Sequence, residues 1–126
     1  MNYLACSILL CFAVTSAHAR SFKASHPGWM VGEWVWLNPG EHYSPAQCNA
    51  DHNINYHRDG SYDFMDESGY WRVEDGYLIE TMTSTGGTGD PAYRDKPSSL
   101  PIERRGPGIV SVHGKTPGTM IRCPAR

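Results

Sequence analysis

The middle of the chain is divided into short runs by closely spaced turn residues. Asp59-Gly60 and Asp75-Gly76 are dipeptides that favour tight β-hairpins, and Glu67-Ser68-Gly69 between them predicts a further turn. The runs that separate these turns, such as 62–65 and 77–83, are rich in aromatic and β-branched side chains. This spacing predicts an antiparallel up-and-down meander, in which each strand pairs with the next one.

The flanking segments extend the same pattern. The apolar run 29–37 predicts a first strand, and 109–113 and 119–123 predict two final strands. No segment has an apolar repeat of 3.6 residues long enough to predict a helix. Residues 84–108 contain several Gly and Pro residues and little apolar surface, so we predict a long flexible loop there. The fold class is therefore all-β, with about six to eight strands.

The start of the chain is typical of an exported protein. Residues 4–14 carry no charge and are followed by Ala17-His18-Ala19, a pattern that predicts a signal peptide over 1–19, cleaved near Ala19. The alternative is a buried N-terminal segment. The apolar run is too short to span a membrane. A chain of 126 residues allows one domain, which we place at 20–126, in a secreted or periplasmic protein.

Cleavage at this position removes Cys6 and Cys11 and leaves Cys48 and Cys123. In an oxidising compartment an isolated pair of cysteines most simply forms one disulfide, so we predict a Cys48–Cys123 bond. Two free thiols are the alternative. The formal net charge of −2 argues against a protein that binds nucleic acid through its phosphates.

A short motif near the start of the predicted domain is similar to a known family signature. Gly32-Glu33-Trp34, followed by the hairpins around Asp59-Gly60 and Gly69-Tyr70-Trp71, resembles small bacterial lipocalin-like (calycin) domains over residues 29–83. The resemblance implies a barrel in which Trp34 packs at the closed end with a basic side chain, here Arg122, across its ring. It makes Gly32, Trp34 and Arg122 structural, and it implies a small apolar ligand.

Four side chains are candidate ligand contacts at the open end of such a barrel: Trp36, Tyr62, Phe64 and Glu80. Glu80 is a carboxylate in the middle of a predicted strand, among apolar neighbours on the same face. The aromatic side chains would alternatively fill a small core. The leading function is non-catalytic binding of a small, partly apolar ligand, with 84–108 as a flap. We expect no enzyme activity and no cofactor.

Basic residues in the predicted loop support a second function. Arg94, Arg104 and Arg105, with Lys96, would form an anion-binding rim that serves an anionic ligand or a protein partner, the latter as in a secreted inhibitor or an envelope accessory factor. These charges would alternatively neutralise the acidic meander. A more distant alternative is a small hydrolase or isomerase that uses a carboxylate inside the barrel.

The histidines do not predict a metal site. The candidate ligands fall within sixteen residues, but their spacings match no compact metal motif, and the cysteine among them has a predicted sulfur partner. We therefore expect no metal and a solvated strand face at these positions. The residues concerned are His42, Cys48, Asp51, His52 and His57.

Overall fold

A computed structural model of the protein describes residues 25–86 and 90–126. The predicted signal peptide at 1–19 lies outside the described residues. The described chain forms eight antiparallel strands, each paired with the next, and the last strand pairs with the first to close a barrel. The strands are β1 Gly32–Leu37, β2 Ile54–Tyr56, β3 Ser61–Phe64, β4 Glu67–Glu74, β5 Tyr77–Ser84, β6 Pro97–Gly106, β7 Ile109–Val112 and β8 Gly118–Arg122.

The prediction of an all-β meander is confirmed. The two Asp-Gly pairs form the β2–β3 and β4–β5 hairpins, and Gly60 (φ +88°), Asp75 (φ +50°) and Gly76 (φ +78°) adopt the left-handed conformations that such turns require. The connections β1–β2, β3–β4, β5–β6 and β7–β8 lie at one end of the barrel, which we call the open end. The other three connections and the segment 25–31 lie at the opposite, closed end. Two short 3₁₀ helices, Pro45–Asn49 and Pro91–Tyr93, belong to the open-end connections.

The turn predicted at 67–69 is wrong. The chain reverses direction at Met65 and Asp66, just before β4 begins. Gly69 lies inside β4, next to a β-bulge in the pairing of β4 with β5. Gly69 is required there by a close approach of the two strands: a Cβ atom on it would lie 2.0 Å from the carbonyl oxygen of Thr81. The glycine therefore marks a contact between backbones and not a reversal of the chain.

Gly69→Ala is expected to lower the free energy of unfolding by about 1–3 kcal/mol, because β4 and β5 must separate to admit the methyl group. Urea denaturation measures the loss. Gly106→Ala is the matched control, since a Cβ atom at Gly106, beside the β6–β7 bulge, meets nothing within 4 Å. Equal stability of the two variants would contradict the close approach.

The long loop predicted over 84–108 is also wrong in extent. β5 runs to Ser84 and β6 begins at Pro97, so residues 97–106 form a strand. The prolines are tolerated because β6 is paired in two halves: Pro97 to Pro101 pair with β5, and Ile102 to Gly106 pair with β7. A missing N–H costs little where one side of a strand has no partner. Arg104 and Arg105 consequently belong to a strand, and of the three predicted arginines only Arg94 lies in the β5–β6 connection.

Large side chains fill the closed end of the barrel. Alternate residues of each strand point inward, and the segment 25–31 passes beneath them, with Ser25 paired to Val73 and Met30 fully buried. The Trp34 indole N–H donates to the Met30 carbonyl at 2.8 Å. The closed end therefore holds a solid core and no space for a ligand. The core extends upward from there as far as Tyr62, Met120 and Val112. Its buried members are Met30, Trp34, Tyr56, Tyr62, Trp71, Leu78, Val110, Val112 and Met120.

A second, smaller cluster lies on the outer face of the barrel. Val35 and Leu37 of β1 point outward and pack against Cys48 of the first 3₁₀ helix and Cys123, which follows β8. The predicted disulfide is confirmed: Cys48 and Cys123 are bonded, with their Cα atoms 5.6 Å apart. The bond fastens the β1–β2 connection to the end of the last strand.

The structural trio implied by the family resemblance is arranged differently from the expectation. Arg122 lies opposite Trp34 in the β1–β8 register, but its side chain runs beside Gly32 (φ +132°) and donates to the carbonyl of Trp29 at 3.4 Å. Within the described ranges, the arginine that stacks on an indole is Arg104, 5.3 Å above the centre of the Trp29 ring. The basic side chain across an indole therefore comes from β6.

Candidate functional site

Two cavities open at the open end of the barrel, above the filled core. The first has a volume of about 300 Å³, and we call it the Glu80 cavity. The second has a volume of about 400 Å³, and we call it the Trp36 cavity. The Glu80 cavity is lined by Tyr62, Glu67, Glu80, Met82, Asp90, Tyr93, Lys96, Pro97 and Ser98. The Trp36 cavity is lined by Trp36, Asn38, Glu41, Gln47, His52, Ile54 and Phe64.

Glu80 brings a carboxyl group into the interior. It lies in the middle of β5 on the inward face, between the buried side chains of Leu78 and Met82. One of its oxygens, Oε1, accepts a hydrogen bond from the hydroxyl of Tyr56. Burial raises the pKa of the Glu80 carboxyl, the hydrogen bond from Tyr56 opposes this shift, and the charge of Glu67 adds to it.

The two tyrosines near Glu80 are shifted in the same direction. Burial, and then the negative charge of Glu80, raises the pKa of Tyr56 well above its ordinary value. The same two causes raise the pKa of Tyr62 to about 12, with a further contribution from Glu67. Both phenols therefore stay protonated at neutral pH, and Tyr56 acts as a fixed hydrogen-bond donor to the carboxyl group.

The second carboxyl oxygen of Glu80 is available to a ligand. Within residues 25–86 and 90–126, the hydrogen bonds to Glu80 reach Oε1, from Tyr56, and the backbone carbonyl, from Ser98 at 3.5 Å. Oε2 has no such bond, and the Glu80 side chain lines the cavity. A ligand that supplies a donor can therefore bond to Oε2 without displacing a group of the described protein.

No protein-family model, no curated protein and no solved structure matches the chain.

The Trp36 cavity differs because three of its polar rim residues, Trp36, Asn38 and Glu41, are already paired with one another. The Trp36 indole N–H donates to the Asn38 side chain at 3.3 Å, and the Asn38 backbone N–H donates to the Glu41 carboxylate at 2.7 Å. The wall beneath this rim is apolar, formed by the rings of Trp36 and Phe64 with Ile54. This cavity suits an apolar group and offers little polar selectivity.

A third cavity, of about 680 Å³, lies on the outer surface between the start of β1 and the chain after β8. Its charged groups are engaged in the protein itself. Arg126 donates to the carbonyl of Cys48 at 2.7 Å and lies 3.5 Å from the Glu33 carboxylate, and Arg122 reaches the carbonyl of Trp29. The charged side chains described in this outer groove are therefore already bonded within the protein.

The four predicted ligand contacts all lie at the open end, but in two places. Tyr62 and Glu80 line the Glu80 cavity, and Trp36 and Phe64 line the Trp36 cavity. Sequence reasoning missed Met82, which the alternation of β5 places on the face of Glu80 and which was therefore predictable. It also missed Glu67 and Ser98, which lie in segments that were predicted to be a turn and a loop. Asp90 and Tyr93 were missed because they lie in the irregular β5–β6 connection.

The predicted basic rim is not formed, because the arginines lie at different ends of the barrel. Arg94 follows the second 3₁₀ helix at the open end. Arg104 stacks on Trp29 at the closed end, and Arg105 pairs with the Glu103 carboxylate at 3.2 Å. The strand β6 separates them, so they cannot contact one anion together.

The histidines and the cysteine that were considered as metal ligands, and for which no metal was expected, lie in different settings. Cys48 is consumed by the disulfide, and His57 is paired with Asp63 on the outside of the barrel. In the described part of the chain, no group of three or more His, Cys, Asp or Glu side chains is placed to hold a metal ion. The helices described there are also too short and polar to cross a membrane.

Glu80→Gln is expected to raise the free energy of unfolding near neutral pH. Because the pKa of Glu80 is raised in the folded state, the folded protein holds a proton that the unfolded chain has released, between the ordinary pKa and the raised one. The contribution of Glu80 to stability therefore falls as the pH rises through this window, and glutamine removes the loss. Urea unfolding of both proteins from mildly acidic to neutral pH measures the difference.

The substitution keeps an oxygen that accepts from Tyr56, so the hydrogen bond is not the variable. The difference in stability between Glu80→Gln and the original protein should grow with pH. A difference that is constant over this range, or that shrinks as the pH rises, would show that Glu80 has no raised pKa.

Proposed function

We propose that the protein is an exported, non-catalytic binding protein of the lipocalin-like type, which binds a small, partly apolar ligand at the open end of its barrel. The observation that carries this proposal is the Glu80 cavity: an inward carboxyl group with an unpaired oxygen, walled by Tyr62 and Met82. Ligand sites are concave and combine apolar walls with polar groups that fix orientation, and this cavity has both: four aromatic or apolar lining residues and five charged or polar ones.

The dimensions of the interior favour a small ligand. The closed end is filled by Trp34, Trp71 and Tyr56, each no more than 2% exposed, so a ligand reaches only the upper part of the barrel. A volume of about 300 Å³ lies at the lower limit of ligand pockets in proteins. We therefore expect a molecule with one ring or a short chain, and not a lipid with long acyl chains.

The protein-interaction alternative has lost its main support. That function rested on a continuous basic rim, and Arg94 lies at the opposite end of the barrel from Arg104 and Arg105. A hydrolase or isomerase that uses a carboxylate inside the barrel stays a prediction. Binding is the function that we propose because it requires only the groups already named.

Export remains part of the proposal and is supported by the disulfide. Cys48 and Cys123 are bonded, and such bonds persist in oxidising compartments. We expect the mature protein, purified from the cells that make it, to have the mass of residues 20–126. Intact-mass spectrometry measures this. A protein that keeps residues 1–19 would contradict export by a cleaved signal.

Native mass spectrometry of the protein from its natural source tests the binding function. A bound small molecule should appear as an added mass that is lost on unfolding. Ser98→Trp should abolish it, because Ser98 is on the cavity wall and an indole there fills the mouth. Ser99→Trp is the matched control: Ser99 is also exposed and points to the other face of β6.

The two variants separate binding in the Glu80 cavity from binding elsewhere on the protein. We expect the added mass in the original protein and in Ser99→Trp, and not in Ser98→Trp. A clean apo mass in all three proteins would contradict the proposed function. An added mass that survives in Ser98→Trp would place the ligand outside the Glu80 cavity.

A further inference from the structure

We infer that the ligand of the Glu80 cavity is a small organic cation, a protonated amine carried on an apolar group. This inference rests on the proposed function and names the class of ligand. It is carried by the geometry of the cavity: a carboxyl oxygen of Glu80 that no described group bonds, aromatic walls, and acidic groups in excess over basic ones.

The charge of the lining favours a cation. Three carboxyl groups border the cavity, those of Glu67, Glu80 and Asp90, against one ammonium group, that of Lys96. Lys96 and Asp90 are both exposed, so water screens both charges, whereas Glu80 lies on the inward face of β5. An anionic ligand would meet the carboxyl groups as it entered, and a cation would be attracted by them.

The hydrogen-bonding pattern around Glu80 also favours a donor-only group. Tyr56 donates its single hydroxyl proton to Oε1 and thereby fixes the orientation of the carboxyl group. Oε2 remains directed into the cavity without a described partner. This free oxygen is the observation, independent of the number of acids, that points to a ligand. An ammonium group has only donors, and its bond to a carboxylate is stronger than a neutral hydrogen bond.

The walls suit the rest of such a molecule. Tyr62 is 6% exposed and presents its ring to the cavity, and Tyr93, which is 68% exposed, stands at the mouth. Aromatic rings attract cations through their faces and pack against apolar groups through dispersion. Met82 and Pro97 complete an apolar wall, which a ring or a short chain next to the amine would contact.

Isothermal titration calorimetry with three probes of one shape tests the inference. Benzylammonium, benzyl alcohol and benzoate share a ring and differ in charge. We expect benzylammonium to bind at least tenfold more tightly than benzyl alcohol, because both can donate to Glu80 but only the ammonium adds the attraction of a positive charge. Benzoate should bind most weakly of the three, because the cavity repels it.

Glu80→Gln identifies the group responsible. This variant should bind benzylammonium at least tenfold more weakly than the original protein, and it should lose clearly less affinity for benzyl alcohol, which is uncharged. Glu103→Gln is the matched control, because Glu103 is a carboxylate on the exposed outer face of β6, paired with Arg105. It should leave the affinities of all three probes unchanged. Thermal unfolding of each variant verifies that the barrel is intact.

The outcomes distinguish this inference from the proposed function. Equal affinities for benzylammonium and benzyl alcohol would overturn the amine and leave a binding cavity. Tightest binding of benzoate would overturn it too. Failure of all three probes to bind would also overturn the inference, whereas the proposed function would still be decided by the bound mass in the protein from its natural source. Unchanged benzylammonium affinity in Glu80→Gln would remove Glu80 from the site.

Discussion

Replacing both Cys48 and Cys123 by serine is expected to lower the free energy of unfolding by about 4 kcal/mol, the largest effect that we predict for a change outside the core. The bond joins residues 75 positions apart, so it removes much of the freedom of the unfolded chain. The disulfide also packs against Val35 and Leu37, whose outward side chains form one cluster with Cys48 and Cys123.

Urea unfolding of the original and the double variant measures this loss. A domain of this size is stable by only about 5–15 kcal/mol, so the variant should unfold at a much lower urea concentration. Reduction of the original protein should give the same midpoint as the double variant, which controls for the serine side chains. A loss below about 1 kcal/mol would contradict the chain-entropy account.

Trp34→Ala is expected to cost about 3–5 kcal/mol, because it removes the largest side chain of the closed end and leaves a cavity. Trp34 is 1% exposed, and its indole N–H is the partner of the Met30 carbonyl. Truncation therefore loses packing and also leaves a buried carbonyl without a donor. Urea unfolding of the variant measures the cost.

Trp36→Ala is the control, because Trp36 is on the same strand and the same face, two residues nearer the open end. Its ring borders the Trp36 cavity and its N–H bonds only to the exposed Asn38 side chain. We expect it to cost clearly less than Trp34→Ala. Equal costs would mean that the two ends of the barrel are packed alike, and the distinction between a filled and an open end would fail.

The meander was predictable because local chemistry determines it. The Asp-Gly pairs at 59–60 and 75–76 favour tight turns, in which Gly60, Asp75 and Gly76 adopt left-handed backbone, and they indicate where the strands around them begin and end. This signal depends on neighbouring residues in the chain, and for that reason a single sequence reveals it. The disulfide was predictable for another reason, because one pair of cysteines follows the predicted signal peptide.

The wrong predictions concern glycine and proline, which are common in turns and loops but here also lie inside strands. Local composition puts Gly69 in a turn, but this glycine is needed because Thr81 of β5 approaches its backbone. Local composition also puts Pro97 and Pro101 in a loop, but they lie in the half of β6 that pairs only with β5. In both cases the deciding contact involves a strand that is distant in the sequence, so composition could not distinguish the alternatives.

The candidate site was predictable only in part for a related reason. Alternation along β5 places Glu80 on the inward face, and alternation along β3 places Tyr62 and Phe64 there. The other wall of the Glu80 cavity comes from Tyr93 and Lys96 in an irregular connection. Side-chain direction in such a segment follows from its own backbone path and not from a repeating pattern.

The central claim is that ligands bind at the open end above a filled core, and the positions of the methionines test it directly. Met82 lines the Glu80 cavity, and Met30 is buried in the core at the closed end. In the protein labelled with ¹³C at the methionine methyl groups, titration with benzylammonium and with benzyl alcohol should shift the NMR signal of Met82 and leave that of Met30 in place. A Met30 signal that shifts as much as that of Met82, or a Met82 signal that responds to neither compound, would contradict the account.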